Sequence, residues 1–138
     1  MRSRSAACVL MLAFVLAAGT LASGGSRNRP VRQWAIAYLA QPTLVGNTIV
    51  QGPVLFTHDD ARMARGEPCT TVQLFEPGAG PLEEVAAFHC IPTPRPTVTT
   101  FTIRTRPNDE LGFGCILTEY QFAGDGEGHG VPAIVNTH

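Results

Sequence analysis

VLFTHDDARMARGEPCTT, residues Val54–Thr71, carries the densest run of local signals in the chain. Val54, Phe56 and His58 fall on one side of a strand, because side chains alternate along extended backbone. Asp59 then suits a helix N-cap, with Asp60 in the first turn and Arg62 and Arg65 near the last. Gly66 takes the left-handed terminal position and Pro68 blocks continuation. The segment therefore reads as strand, one helical turn near residues 60–65, and a second strand opening at Cys69. In this reading Asp60 and Arg65 serve the turn, not a catalytic pair.

The natural partner of that second strand is VAAFHCIP, Val85–Pro92. Cys69–Phe75 and Glu83–Cys90 bracket the turn residues Pro77–Pro81, which predicts a hairpin centred on Ala79 and Gly80. In that register residue numbers sum to 159 across the ladder. Val72 then faces Ala87, Leu74 faces Val85, and Cys69 faces Cys90. Apolar pairing and cysteine pairing select the same register. The expectation is a Cys69–Cys90 disulfide, which would close a loop of about 20 residues and stabilise by about 3 kcal/mol.

Outward from this hairpin the chain reads as further short strands. Arg32–Ala40 opens the folded part and Pro42 ends it. Thr43–Val45 and Thr48–Val50 flank the turn at Gly46-Asn47, and Gly52-Pro53 marks another. Ile91–Pro96 reads as an extended connector. Thr97–Arg106 alternates between two faces, and Leu111–Phe122 is the most apolar stretch, expected at the centre of the sheet. Val131–Val135 is a last, edge-like strand. About seven short strands and one helical turn predict an all-β fold, an antiparallel β-sandwich or small barrel.

The N-terminus reads as an export signal. Arg2 and Arg4 precede an apolar run from Ala6 to Ala18, and Thr20-x-Ala22 fits a small-x-small cleavage site. Residues 1–22 are thus expected as a cleaved signal helix, 23–30 as a disordered Gly- and Arg-rich tether, and 31–138 as a single β domain. The expected location is periplasmic or extracellular, with no membrane insertion once the signal is removed. The mature 116 residues would carry 8 Arg against 11 acidic residues, a balance that draws neither nucleic acid nor anionic lipid. There is no Lys in the chain, which excludes Schiff-base chemistry. Partners are not legible, beyond room for a protein partner or self-association.

The Val45-Gly46-Asn47 to Gly52 hairpin and the run into Gly124-Asp125-Gly126-Glu127-Gly128 resemble small secreted bacterial β-sandwich proteins of uncharacterised function. The resemblance implies the fold and export. It transfers no catalytic residue, and neither the cysteines nor His58-Asp59-Asp60 belong to it.

No catalytic motif is present, so the leading expectation is a non-enzymatic exported module that binds a ligand or serves as an envelope scaffold. After cleavage three cysteines remain. With Cys69 and Cys90 paired, Cys115 is expected as a buried free thiol. A second reading places a metal at one end of the fold, held by His58, Cys69, His89 and Cys90 with Met63 overhead. Those donors suit copper, or zinc without the thioether. Against it, adjacent His89 and Cys90 point to opposite faces of a strand. The acidic Asp125–Gly130 loop has calcium-like alternation, but lacks the Glu a calcium loop needs, since that position is Asn136.

Overall fold

The computed structural model describes residues 31–133. The expected signal segment, the tether and residues 134–138 lie outside the described residues. Eight strands and one short helix follow in the order β1 (Arg32–Val45), β2 (Thr48–Asp59), α1 (Asp60–Ala64), β3 (Thr70–Glu76), β4 (Gly80–Phe88), β5 (Ile91–Pro94), β6 (Thr102–Pro107), β7 (Cys115–Gln121) and β8 (Glu127–Gly130). They form one open sheet in the order β4-β3-β2-β1-β7-β8-β5, with β6 paired to β7. The pairings are antiparallel except β1 with β7, which run parallel at Thr43–Leu44 and Cys115–Ile116.

Several expected boundaries move. Pro42 does not end β1; the strand passes through a register shift between Leu39 and Thr43 and continues to Val45. Gly52-Pro53 likewise lies inside β2, where Gly52 faces Leu39 and Pro53 faces Tyr38. The Ile91–Pro96 connector contains β5, paired to β8 at the sheet edge, a position that tolerates proline. Leu111 and Phe113 belong to an exposed loop before β7. That loop packs so closely that a Cβ on Gly114, at φ +74°, would lie 2.4 Å from the Pro42 carbonyl oxygen. Among the described residues the last strand is β8, within the stretch read as an acidic loop; Val131–Ala133 are not in a strand, and the rest of the expected Val131–Val135 strand lies outside the described residues.

The β3–β4 hairpin also departs from its expected register. Its turn closes at Glu76 opposite Gly80, around Pro77–Ala79, with the Ala79 amide donating to the Glu76 carbonyl at 3.1 Å. Two register shifts follow, so Val72 faces Ala86 and Thr70 faces Phe88. Continued outward, this register sets Cys69 level with His89, one residue short of Cys90. The turn closes earlier in the chain than expected, which causes the slip, and the two bulges undo part of it.

The sheet does not lie flat. Between β2 and β8 stand β1 and β7, so a flat sheet would separate them by about 14 Å at the usual spacing of ~4.8 Å per strand. Instead the His58 ring of β2 and the His129 ring of β8 are 4.4 Å apart. The sheet has curled until its two wings meet. Between them the core is aromatic: Phe56 of β2 packs at 5.3 Å on both Phe101 and Tyr120, and Phe101 packs at 5.2 Å on Phe122. Val54, Val72, Val45 and Leu117 fill the rest. The Thr70 and Tyr120 hydroxyls hydrogen-bond each other across this core, joining β3 to β7.

A polar cluster holds β7 to its neighbours. Glu119 is buried and accepts from both Arg95, at 2.9 Å, and Arg104, at 2.6 Å. Gln121 donates to the carbonyls of Pro96 and Asp125. Every acidic charge in that pocket thus has a cation beside it, which a buried carboxylate requires.

Phe56 touches both wings, so Phe56→Ala should cost about 3–5 kcal/mol of unfolding free energy, whereas Tyr38→Ala, on the exposed face, should change it by less than about 1 kcal/mol. Urea unfolding of the two variants checks this; equal losses would mean that the core is not centred where the aromatic contacts put it.

Candidate metal centre

At one end of the curled sheet a connection between neighbouring strands brings the first two donors together. β2 ends at Asp59 and β3 begins at Thr70, with His58 directly opposite Thr70. Since β2 and β3 are paired, the segment between them must return the chain to its start. α1 makes that return: Asp59 caps it, its Oδ1 accepting the Ala61 amide at 2.9 Å, and Gly66 closes it at φ +76°. The Asp59 amide donates to the Cys69 carbonyl at 2.9 Å, which pins Cys69 beside the end of β2. The helical turn expected here is therefore present, and it serves to place His58 and Cys69 side by side.

The third donor arrives from β4. Cys90 lies in the two-residue gap between β4 and β5, free of the strand alternation that would aim it away. Its amide donates to Cys69 Sγ at 3.3 Å, and the two sulfurs are 3.2 Å apart. That is well outside the ~2.05 Å of a disulfide, and both are free thiols, which corrects the expected Cys69–Cys90 bond. The donor atoms of His58, Cys69 and Cys90 all lie within 4.8 Å of one another.

A second histidine, absent from the sequence reading, borders this three-residue group. His129 Nδ1 lies 3.4 Å from Cys90 Sγ, and the ring is only 3% exposed. It stacks on Tyr120, its partner across the β7–β8 ladder, at 4.9 Å and 15°. Its Nε2 is buried without a hydrogen-bond partner. Gly128 next to it must lack a side chain, because a Cβ there would sit 2.7 Å from the Glu119 carboxyl carbon. The sequence did hold a signal: Glu127 and His129 alternate with Gly126, Gly128 and Gly130, a period of two that fits a strand as well as an oxygen-ligand loop.

The remaining expected ligands are not in the cluster. His89 is exposed beside Cys90, as the opposed directions of neighbouring side chains implied. Met63 is 47% exposed on α1. Cys115, expected as a free thiol, is buried at the start of β7 and is already engaged with a partner. Among the described residues the free cysteines are Cys69 and Cys90.

Burial sets the protonation states. It pushes the Cys90 thiol up to about 12, aided by the adjacent Cys69, so Cys90 is a neutral thiol at pH 7. It lowers His129 to about 4, with neighbouring His58 acting in the same direction, so this imidazole is neutral. His58 Nδ1 lies 3.5 Å from Asp60 Oδ1, an orienting carboxylate that leaves Nε2 as the nitrogen available to an ion. The His58 imidazole and the two sulfurs, with Cys90 half-buried and His129 beside it, can bind a soft or borderline metal ion. No family model matches the chain, and no curated protein or solved structure matches it either.

The His129 shift has a consequence for the metal-free protein. Its folded value, about 4, lies below the ~6.5 of an unfolded histidine, so between these values the unfolded chain binds the extra proton. This contribution to stability is complete above about pH 6.5 and is lost as pH falls towards 4, up to about 3 kcal/mol. Urea unfolding of metal-free protein at pH 7.5 and pH 5 should show the loss, and His129→Phe should remove that part of it. An unchanged pH slope in the variant would contradict the assignment.

Proposed function

We propose that this chain is an exported, non-enzymatic β protein that binds one zinc ion through His58, Cys69, Cys90 and His129. The convergence of His58, Cys69 and Cys90 donor atoms within 4.8 Å carries the reading, and His129 supplies the fourth position. Zinc spokes of about 2.3 Å to sulfur give tetrahedron edges of about 3.7 Å. The observed 3.2 Å between sulfurs and 3.4 Å from Cys90 to His129 are near that edge, so binding would spread the donors by about half an ångström.

Zinc is favoured over copper on two grounds. The thioether that would draw copper, Met63, stands exposed on α1. Charge balance points the same way: a divalent ion with two thiolates and two neutral imidazoles sums to zero, the least costly total for a buried site. Four protein donors leave no open position for a substrate, which supports a structural or storage role over catalysis. We read the curled sheet as sandwich-like and residues 1–22 as an export signal that is removed. On that reading the centre works in the periplasm or outside the cell.

Full-length protein purified under reductant should take up one zinc per chain. His58→Ala or His129→Ala should weaken binding by at least about 100-fold and Asp60→Asn by about 10-fold, whereas His89→Ala should leave it unchanged. Because the Cys90 proton must leave, affinity should rise about tenfold per pH unit for each thiol that ionises on binding. Competition against a chromogenic chelator measures all of these. No uptake, or equal losses in the His58 and His89 variants, would refute the assignment.

A further inference from the structure

The two sulfurs that face the ion also face each other. Their separation of 3.2 Å leaves about 1.2 Å to close before a covalent bond forms. Neither cysteine is inside a strand: Cys69 precedes β3 and Cys90 falls between β4 and β5, so both ends can shift without breaking a ladder pair. The adjoining β3–β4 ladder already carries two register shifts. Of the two, Cys90 is the more accessible, and Cys69 is buried directly behind it. An attackable sulfur backed by a second thiol is the arrangement in which a first oxidation product is captured as a disulfide. Cys115 is already engaged, so among the described cysteines this pair has no competing thiol.

We propose that the centre is oxidation-gated: a hydroperoxide converts Cys69 and Cys90 to a disulfide, and the ion is released. The inference rests on the metal-binding reading above. In the first step the Cys90 sulfur attacks a peroxide oxygen, the O–O bond breaks, and the sulfur becomes a sulfenic acid as hydroxide leaves. Cys69 then displaces the sulfenic oxygen, forming the S–S bond. Overall, two thiolates lose two electrons to one hydrogen peroxide, which takes up two protons and becomes two waters. Both sulfur–metal bonds are lost, and the imidazoles of His58 and His129 remain. Two of four ligands, and none of the negative charge, no longer hold a divalent ion.

The same chemistry orders the two bonds. A bound ion occupies both sulfurs and spreads them, whereas in the empty centre they lie 3.2 Å apart, facing each other. The disulfide expected from the sequence and the free thiols of the structure are then two states of one centre, exchanged by reductant and oxidant.

The test uses the full chain, reduced, loaded with one equivalent of zinc chloride and titrated with hydrogen peroxide. Zinc release is followed with a chromogenic chelator, and the Cys69–Cys90 link is mapped by non-reducing peptide mass spectrometry. The expected result is one zinc released per link formed, with uptake restored by a dithiol reductant. Zinc retained under peroxide, or released without a 69–90 link, overturns the gating and leaves the metal reading standing. A reduced chain that takes up no zinc removes both.

Discussion

The curl of the sheet is the constraint on which the rest depends. Paired strands can place neighbours side by side, but β2 and β8 are not neighbours. Only a sheet folded over on itself can put His58 against His129, and the aromatic core is what holds it there. Phe56 from one wing lies between Phe101 and Tyr120 from the other, and Tyr120 closes the contact by hydrogen-bonding Thr70. Tyr120 is at once the floor of the core and the surface on which the His129 ring lies. Packing and site are therefore one structure: the ring that fills the core also fixes the orientation of a candidate ligand.

This arrangement explains how the sheet keeps three polar side chains, His58, Cys69 and His129, buried beside the half-buried Cys90. Burying an imidazole or a thiol costs less than burying a charge, provided each stays neutral. The lowered proton affinity of His129 and the retained proton of Cys90 are both that neutrality. The carboxylates beside the donors, Asp60 at 3.5 Å from His58 and Glu127 at 4.0 Å from His129, are half-exposed, whereas the buried Glu119, on the same strand as Tyr120, is neutralised by Arg95 and Arg104.

How much of this could be read from the sequence depended on whether the signal was local. The strand face Val54, Phe56, His58 and the capped turn at Asp59–Gly66 are written in adjacent residues, and both appear as read. The β3–β4 hairpin was legible as a hairpin, but not its register. Pro77–Gly80 permits more than one turn, and a one-residue change at the turn propagates along the ladder. The nearness of Cys69 and Cys90 survived this error because Cys90 lies beyond the end of β4. His129 was out of reach for a different reason. Its partners are 39 and 71 residues away in the chain, and their meeting depends on the curl, for which alternation of apolar residues carries no direction. His89 adjoins Cys90 in the sequence, but it stands exposed, outside the group formed by His58, Cys69 and Cys90.

The pairing of a neutral donor set with a fold held by hydrophobic contacts has a further consequence for how binding and folding are linked. In a small domain whose core is complete without an ion, metal binding adds to stability by mass action; it does not create the fold. The aromatic contacts lie on the core side of Tyr120 and the Glu119 cluster on the opposite face of β7, and neither needs anything from the donors. Loss of the ion should leave the wings together and the donors in place, close enough for the two sulfurs to find each other. A centre that had to assemble its fold around the metal would lose that proximity when emptied, and its thiols would scatter. On the proposed reading the scaffold would persist when the ion is lost, and the choice between binding an ion and bonding to itself would be made by two side chains.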